Sequence, residues 1–128
     1  MTIQDGVYKC VEQLLEDTKD SGWKTLPLAS GVITYGTTQT PKYRRIGDVV
    51  YLQGAVKGIT TLAKVIGTLP EGYRPTKSMS YAQNTSMQDS HPHFARIQIQ
   101  TSGEIEIQAS TNDISATTWF PIDTSFCI

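Results

Sequence analysis

The feature that most constrains this chain is a strict two-residue alternation from Ala95 to Ala109. Ala95, Ile97 and Ile99 alternate with Arg96, Gln98 and Gln100, and Ile105, Ile107 and Ala109 alternate with Glu104, Glu106 and Gln108. Successive residues of a strand point to opposite faces, so each run has an apolar face and a polar one. The intervening Thr101-Ser102-Gly103 closes them as a hairpin, with Gly103 in the left-handed position. That loop pairs Ile99 with Ile105 and Ile97 with Ile107. A slip of one residue would turn the isoleucines to solvent, so the register is strongly specified.

A second β-rich stretch runs from Pro41 to Pro75 and reads as two or three strands joined by tight turns. Within Arg45 to Gly58, Ile46, Val49, Val50, Tyr51, Leu52 and Val56 are strand formers interrupted by Gly47-Asp48, where a hairpin reverses, so one long strand preceded by a turn is expected. Leu69 to Pro75 is expected to be a rigid corner, because Pro70 and Pro75 fix backbone angles while Gly72 frees one. Upstream, Leu26-Pro27-Leu28 is too proline-marked for a central strand, whereas Val32, Ile33 and Tyr35 read as a short one before the loop Thr37 to Lys42. Downstream, Met79 and Tyr81 mark a strand over Lys77 to Gln83. Asn84 to Pro92 is expected to be the largest exposed loop, and Asn112-Asp113 a turn. Thr118 to Ile128 directs Ile122, Phe126 and Ile128 toward the core.

The only helical signal lies between Ile3 and Asp20, where Val7, Val11, Leu14 and Thr18 recur at steps of four and three, with Cys10 and Leu15 widening the stripe. Such a short helix is marginal alone and needs a partner surface. It either docks on its own domain or self-associates as a stem aligning several copies, and the periodicity fits both. Ser21-Gly22 reads as its C-terminal stop. The expected organisation is a stem over 1–21 and a β domain over 22–128.

A chain of 128 residues suits one core. Its charge is −1 with no basic run, which argues against a nucleic-acid partner held by phosphate contacts. No apolar run reaches the length of a membrane span, and the N-terminus lacks the basic-then-apolar layout of a signal peptide, so a soluble chain without membrane insertion or export is expected. Cys10 and Cys127 show no pairing pattern and read as reduced thiols.

Phosphate loops, dinucleotide glycine patterns, zinc-type frameworks and nucleophile elbows are absent from the sequence. His91 and His93 are the only imidazoles, and no second ligand cluster accompanies them, so neither a metal nor a cofactor is expected. Glu104 and Glu106 project in parallel from one strand face, whereas glycosidase carboxylates face each other across a bond, so no catalytic residue is assigned and the chain is not read as an enzyme. Saccharide binding remains chemically accessible: an aromatic ring covers the C–H side of a pyranose while polar side chains bond its hydroxyls. Trp23, Tyr35, Tyr43, Tyr51, Tyr73, Tyr81 and Trp119 are the rings considered, each more often a core residue than a ligand contact. Tyr81, Gln83, Asp89, His91, His93 and Trp119 are the candidate saccharide contacts because they adjoin expected loops.

Several segments together resemble a known family. Trp23 with Leu26-Pro27-Leu28, Tyr35-Gly36, the Tyr43 to Gly54 segment YRRIGDVVYLQG, the Leu69 to Pro75 segment LPEGYRP, the Ile97 to Ile107 hairpin and a closing Trp119 to Phe126 strand occur in the order seen in C-terminal head domains of tail-fibre, baseplate and receptor-binding proteins. These come from tailed phages and prophages of Gram-positive bacteria. The resemblance spans Trp23 to Ile128 and implies an all-β, sandwich or jelly-roll-like head that forms a homotrimer at the virion tail tip after assembly in the host cytoplasm. It implies binding to host cell-wall polysaccharide or teichoic acid, alongside other tail or baseplate proteins, and it raises the stem reading of Val7 to Thr18. The alternative is a structural module that trimerises and caps a fibre without binding a ligand. No catalytic residue is carried over.

Overall fold

Ile97, Ile99, Ile105 and Ile107 are wholly buried, in the register that their alternation dictates: Ile99 pairs with Ile105 and Ile97 with Ile107. The computed structural model describes residues 6, 7, 9–11 and 19–128. Its strands are β1 (Lys24–Thr25), β2 (Ile33–Thr34), β3 (Lys42–Ile46), β4 (Val49–Gln53), β5 (Ala55–Lys57), β6 (Lys64–Thr68), β7 (Met79–Gln88), β8 (His91–Ile99), β9 (Glu104–Ser110), β10 (Phe120–Pro121) and β11 (Thr124–Cys127). They form three antiparallel sheets in the orders β6-β9-β8-β7, β1-β3-β4-β11 and β10-β5-β2.

The isoleucine-bearing sheet makes one layer of a sandwich, and the other two sheets share the second. A single core joins them: Tyr43, Val50, Leu52 and Phe126 from one sheet, Val56 and Phe120 from another, and the isoleucines opposite. The Gly47-Asp48 turn joins β3 to β4 as expected, but the long strand expected after it is broken at Gly54, which hands the chain from β4 to β5 and so from one sheet to the next. Gly54 has φ +123°, and a Cβ there would stand 2.5 Å from the Pro41 Cα. Its N–H donates to Asp123 Oδ1 at 3.0 Å and its carbonyl accepts from the Ile122 N–H at 2.9 Å, so the break is pinned from the end of the chain.

Leu69 to Pro75 is the corner its prolines suggest. The Tyr73 N–H closes a turn on the Pro70 carbonyl at 3.2 Å, and Arg74 Nε donates to the Leu69 carbonyl at 2.8 Å. Tyr73 meets Tyr43 edge to face, with centroids 4.8 Å apart.

Four further expectations need correction. Asn84 to Pro92 is not a large loop: β7 runs on to Gln88 and turns through Asp89-Ser90 directly into β8. Both turn residues have positive φ, 52° and 63°, as the tightest hairpins require, and with neither a glycine the turn carried little sequence signal. Ala109 leaves the core face because a register shift opposite Arg96 and Ile97 inserts Gln108 as an extra residue. The Pro41 to Pro75 stretch holds four strands, β3 to β6. Finally, Ser21-Gly22 does not stop a helix, because Asp20 already bridges Ile46 and the Ser21 N–H donates to the Arg45 carbonyl at 2.9 Å.

Residues 6, 7 and 9–11 are helical, and Leu14 and Thr18 of the expected seam lie outside the described residues. Below the helical residues, the chain is fastened to β3 by the Asp20–Arg44 ion pair. The guanidinium of Arg44, helped by the Gly22 N–H, pulls the Asp20 carboxyl down from 3.8 to about 2.

A carboxyl whose folded pKa is depressed stabilises the fold above its unfolded value and loses that contribution as pH falls through the folded one. Chemical denaturation should therefore show a stability difference between wild type and Asp20→Asn that is steady above pH 4 and shrinks toward pH 2. A difference that ignores pH would contradict the role given to this pair. Gly54→Ala, forced into both strain and backbone overlap, should lower stability by about 2 kcal/mol or more at unchanged denaturant slope.

Candidate functional site

The long β7–β8 hairpin carries the sequence-nominated polar residues toward its end. Between Thr85 and Gln88 the register shifts, because two residues of β7, Ser86 and Met87, stand opposite Pro92 alone. The bulge turns backbone and side-chain groups toward the segment 110–119, which is tied down group by group. Thr85 Oγ1 donates to the Trp119 carbonyl at 2.7 Å, and Asn112 Nδ2 donates to the Ser86 carbonyl at 3.1 Å. The Gln88 amide grips Asp113 twice, accepting from its N–H at 2.8 Å and donating to Oδ2 at 2.9 Å.

Trp119 is held by this network and stacks on Tyr35, with centroids 5.3 Å apart and planes inclined by 22°. Lys57 Nζ stands 6.0 Å from the Tyr35 ring centre. At the turn, Asp89 and His91 are exposed, and His91 Nδ1 donates to the Asp89 carbonyl at 2.6 Å. His93 is half-buried, with Nδ1 2.9 Å from Thr111 Oγ1.

The six nominated residues thus separate into two groups. Asp89, His91 and His93 cluster at the hairpin end, and Trp119 sits beside Thr85 just below. Tyr81 and Gln83 lie further along β7 on the side that faces the core: Tyr81 pairs with Ile97 and Gln83 with Ala95. The Tyr81 hydroxyl donates to the Ile122 carbonyl at 3.1 Å, and burial, aided by the Asp123 charge, pushes its phenol well above the usual range. A tyrosine so placed braces the two layers.

Surface depressions lie elsewhere. One of about 260 Å³ is lined by Lys19, Ser21, Arg45, Gly47, Gly72 and Tyr73, and a shallower one of about 460 Å³ lies along Tyr51 to Gln53 and Asp123 to Ser125. Neither includes a nominated residue. Among the described residues, no three His, Cys, Asp or Glu side chains converge as a metal site requires.

Sequence reasoning passed over Phe94. It is 54% exposed, more than Trp23 at 39% or Tyr51 at 37%, and it stands on the polar face of β8. Extending the alternation one step back from Arg96 would have found it, an aromatic in a row of polar positions.

No protein-family model and no curated protein matches this sequence. Solved structures do. The receptor-binding protein of Listeria phage PSA superposes with a TM-score of 0.62 at 18% identity, over 98% of this chain and 80% of that one. The head domain of the lactococcal phage bIL170 superposes with a TM-score of 0.56 at 20% identity, over 83% of this chain and 96% of that one. At such identities the likeness establishes the fold, that of phage receptor-binding heads.

Two substitutions check the account of this region. Tyr81→Phe should cost about 1 kcal/mol through the lost hydrogen bond. Ser90→Gly should raise stability by about 1 kcal/mol by relieving a left-handed serine. Thermal unfolding measures both, and a destabilising Ser90→Gly would contradict the strained turn.

Proposed function

We propose that this chain is the receptor-binding head of a tailed phage or prophage, and that it attaches to saccharides of a Gram-positive cell wall without cutting them. The observation that carries the reading is the fold shared with the two phage proteins, one described as a receptor-binding protein and the other as a head domain. The surface supports this ligand class, because it offers exposed rings and uncharged hydrogen-bonding side chains rather than a strongly charged patch. The carboxylates of Glu104 and Glu106 lie on the same face of β9, an arrangement suited to solvent and unsuited to attack on a bond between them.

The head works as a homotrimer at the tail tip, joined through its N-terminal stem to other tail or baseplate proteins after assembly in the host cytoplasm. Residues 1–21 are that stem and 22–128 the head. Val7 and Val11, two seam positions of the stem, are 59% and 48% exposed in the single chain. Their own head does not cover them, which favours copies of the same helix as partners. Three weak sites engaging one wall gain avidity that a single head lacks.

Purified chain mixed with wall fragments from a panel of Gram-positive bacteria should sediment with at least one of them, and removing wall polysaccharide and teichoic acid should abolish this. No new reducing ends should appear, and light scattering should give the mass of three chains. A trimer that ignores every wall would instead be a structural cap of a fibre, and release of reducing ends would make the chain a depolymerase.

A further inference from the structure

Several of the exposed or half-exposed rings already have partners. Trp23 is faced by Lys42 and Arg44 at 5.3 and 5.7 Å from its ring centre, Trp119 by Tyr35, and Tyr73 by Tyr43. Phe94 has no aromatic or cationic partner among the described residues, although it is the most exposed of these rings. An apolar ring left on a polar strand face contributes nothing to the core, and its surroundings are ordered in a way that solvation alone does not require.

The face around it is built by β7, β8 and β9. Asn84 stands directly opposite Phe94 on β7, and Arg96 follows two residues along β8, about 7 Å away. The bulge at Gln108 adds a third element. Gln108 Oε1 accepts from Arg96 Nε at 2.8 Å, and Gln108 Nε2 donates to Gln98 Oε1 at 2.8 Å. This ladder fixes the guanidinium plane while both Nη groups of Arg96 and the Asn84 amide keep their hydrogen-bonding capacity, with no protein partner among the described residues. Ala82 and Ala109, the cross-strand neighbours of Arg96, are exposed and short, so the surface beside the guanidinium stays low.

We propose that this outer face, with Phe94 as the stacking platform and Asn84 and Arg96 as hydroxyl-binding groups, is a subsite for a neutral hexopyranose. The proposal rests on the reading of the chain as a saccharide-binding head and names where and what it binds. A pyranose lays its C–H face on the ring, and its neighbouring hydroxyls meet the planar amide and guanidinium. The charge balance selects between wall polymers. Beyond Arg96 the same face carries Glu104 and Glu106, with Glu106 paired to Gln98, so its carboxylates outnumber its one guanidinium, which favours an uncharged glycan over a polyanionic phosphate chain.

The test uses the full chain and wall fragments. Phe94→Ala and Arg96→Ala should each weaken co-sedimentation with a wall bound by wild type by about tenfold, roughly 1.4 kcal/mol. Phe94→Trp should retain binding, and the melting temperatures should stay close to wild type because both side chains are exposed. Raising salt from about 0.1 to 1 M should change wild-type binding little, since screening acts on charge. If Phe94→Ala and Arg96→Ala both bind within twofold of wild type, the subsite is wrong and the head reading stands. If salt abolishes wild-type binding, the ligand is a polyanion and the neutral sugar is wrong. If wild type binds no wall at all, both readings fall together.

Discussion

The molecule depends on one packing event: the isoleucines of the β8–β9 hairpin closing against β4, β5 and β10. Each of these side chains is fully buried, and each such burial stabilises by about 1.5–3 kcal/mol before the entropy of ordering is counted. Because strand neighbours alternate, the register that buries Ile97 and Ile99 also projects Phe94, Arg96 and Gln98 outward. The core therefore decides which residues the outside world meets. The break at Gly54 is the counterpart in the opposite layer, where one continuous stretch of chain serves two sheets.

What the sequence made legible follows the same physics. The hairpin register could be read without a structure because period-two burial and a left-handed Gly103 agree, and Gly103 adopts φ +89°. Leu69 to Pro75 was legible through its prolines. The break at Gly54 was not, since its cause is the approach of Pro41 and the grip of Asp123, both contacts between segments distant along the chain. The Asp89-Ser90 turn was missed because two non-glycine residues hold a conformation that composition rarely flags. Missing it concealed half of β7 and the first residues of β8, including Phe94.

The candidate site was legible in its chemistry more than in its place. Choosing residues for their nearness to expected loops found the end of the β7–β8 hairpin with Asp89, His91 and His93, but it also selected Tyr81, whose hydroxyl is committed to the Ile122 carbonyl. Loop proximity is a poor guide where a loop proves to be a strand. The bulges at Ser86-Met87 and Gln108 have no sequence signature, yet one ties down the 110–119 segment and the other orients Arg96. Both lie where function is inferred, as bulges often do.

The most direct measurement is an amide chemical-shift map of the isotopically labelled chain as neutral polysaccharide released from a bound wall is added. Saturable shifts should cluster at Asn84, Phe94 to Gln98 and Gln108. Shifts confined to the opposite layer, around Tyr51 and Asp123, or none at all, would contradict the proposed subsite.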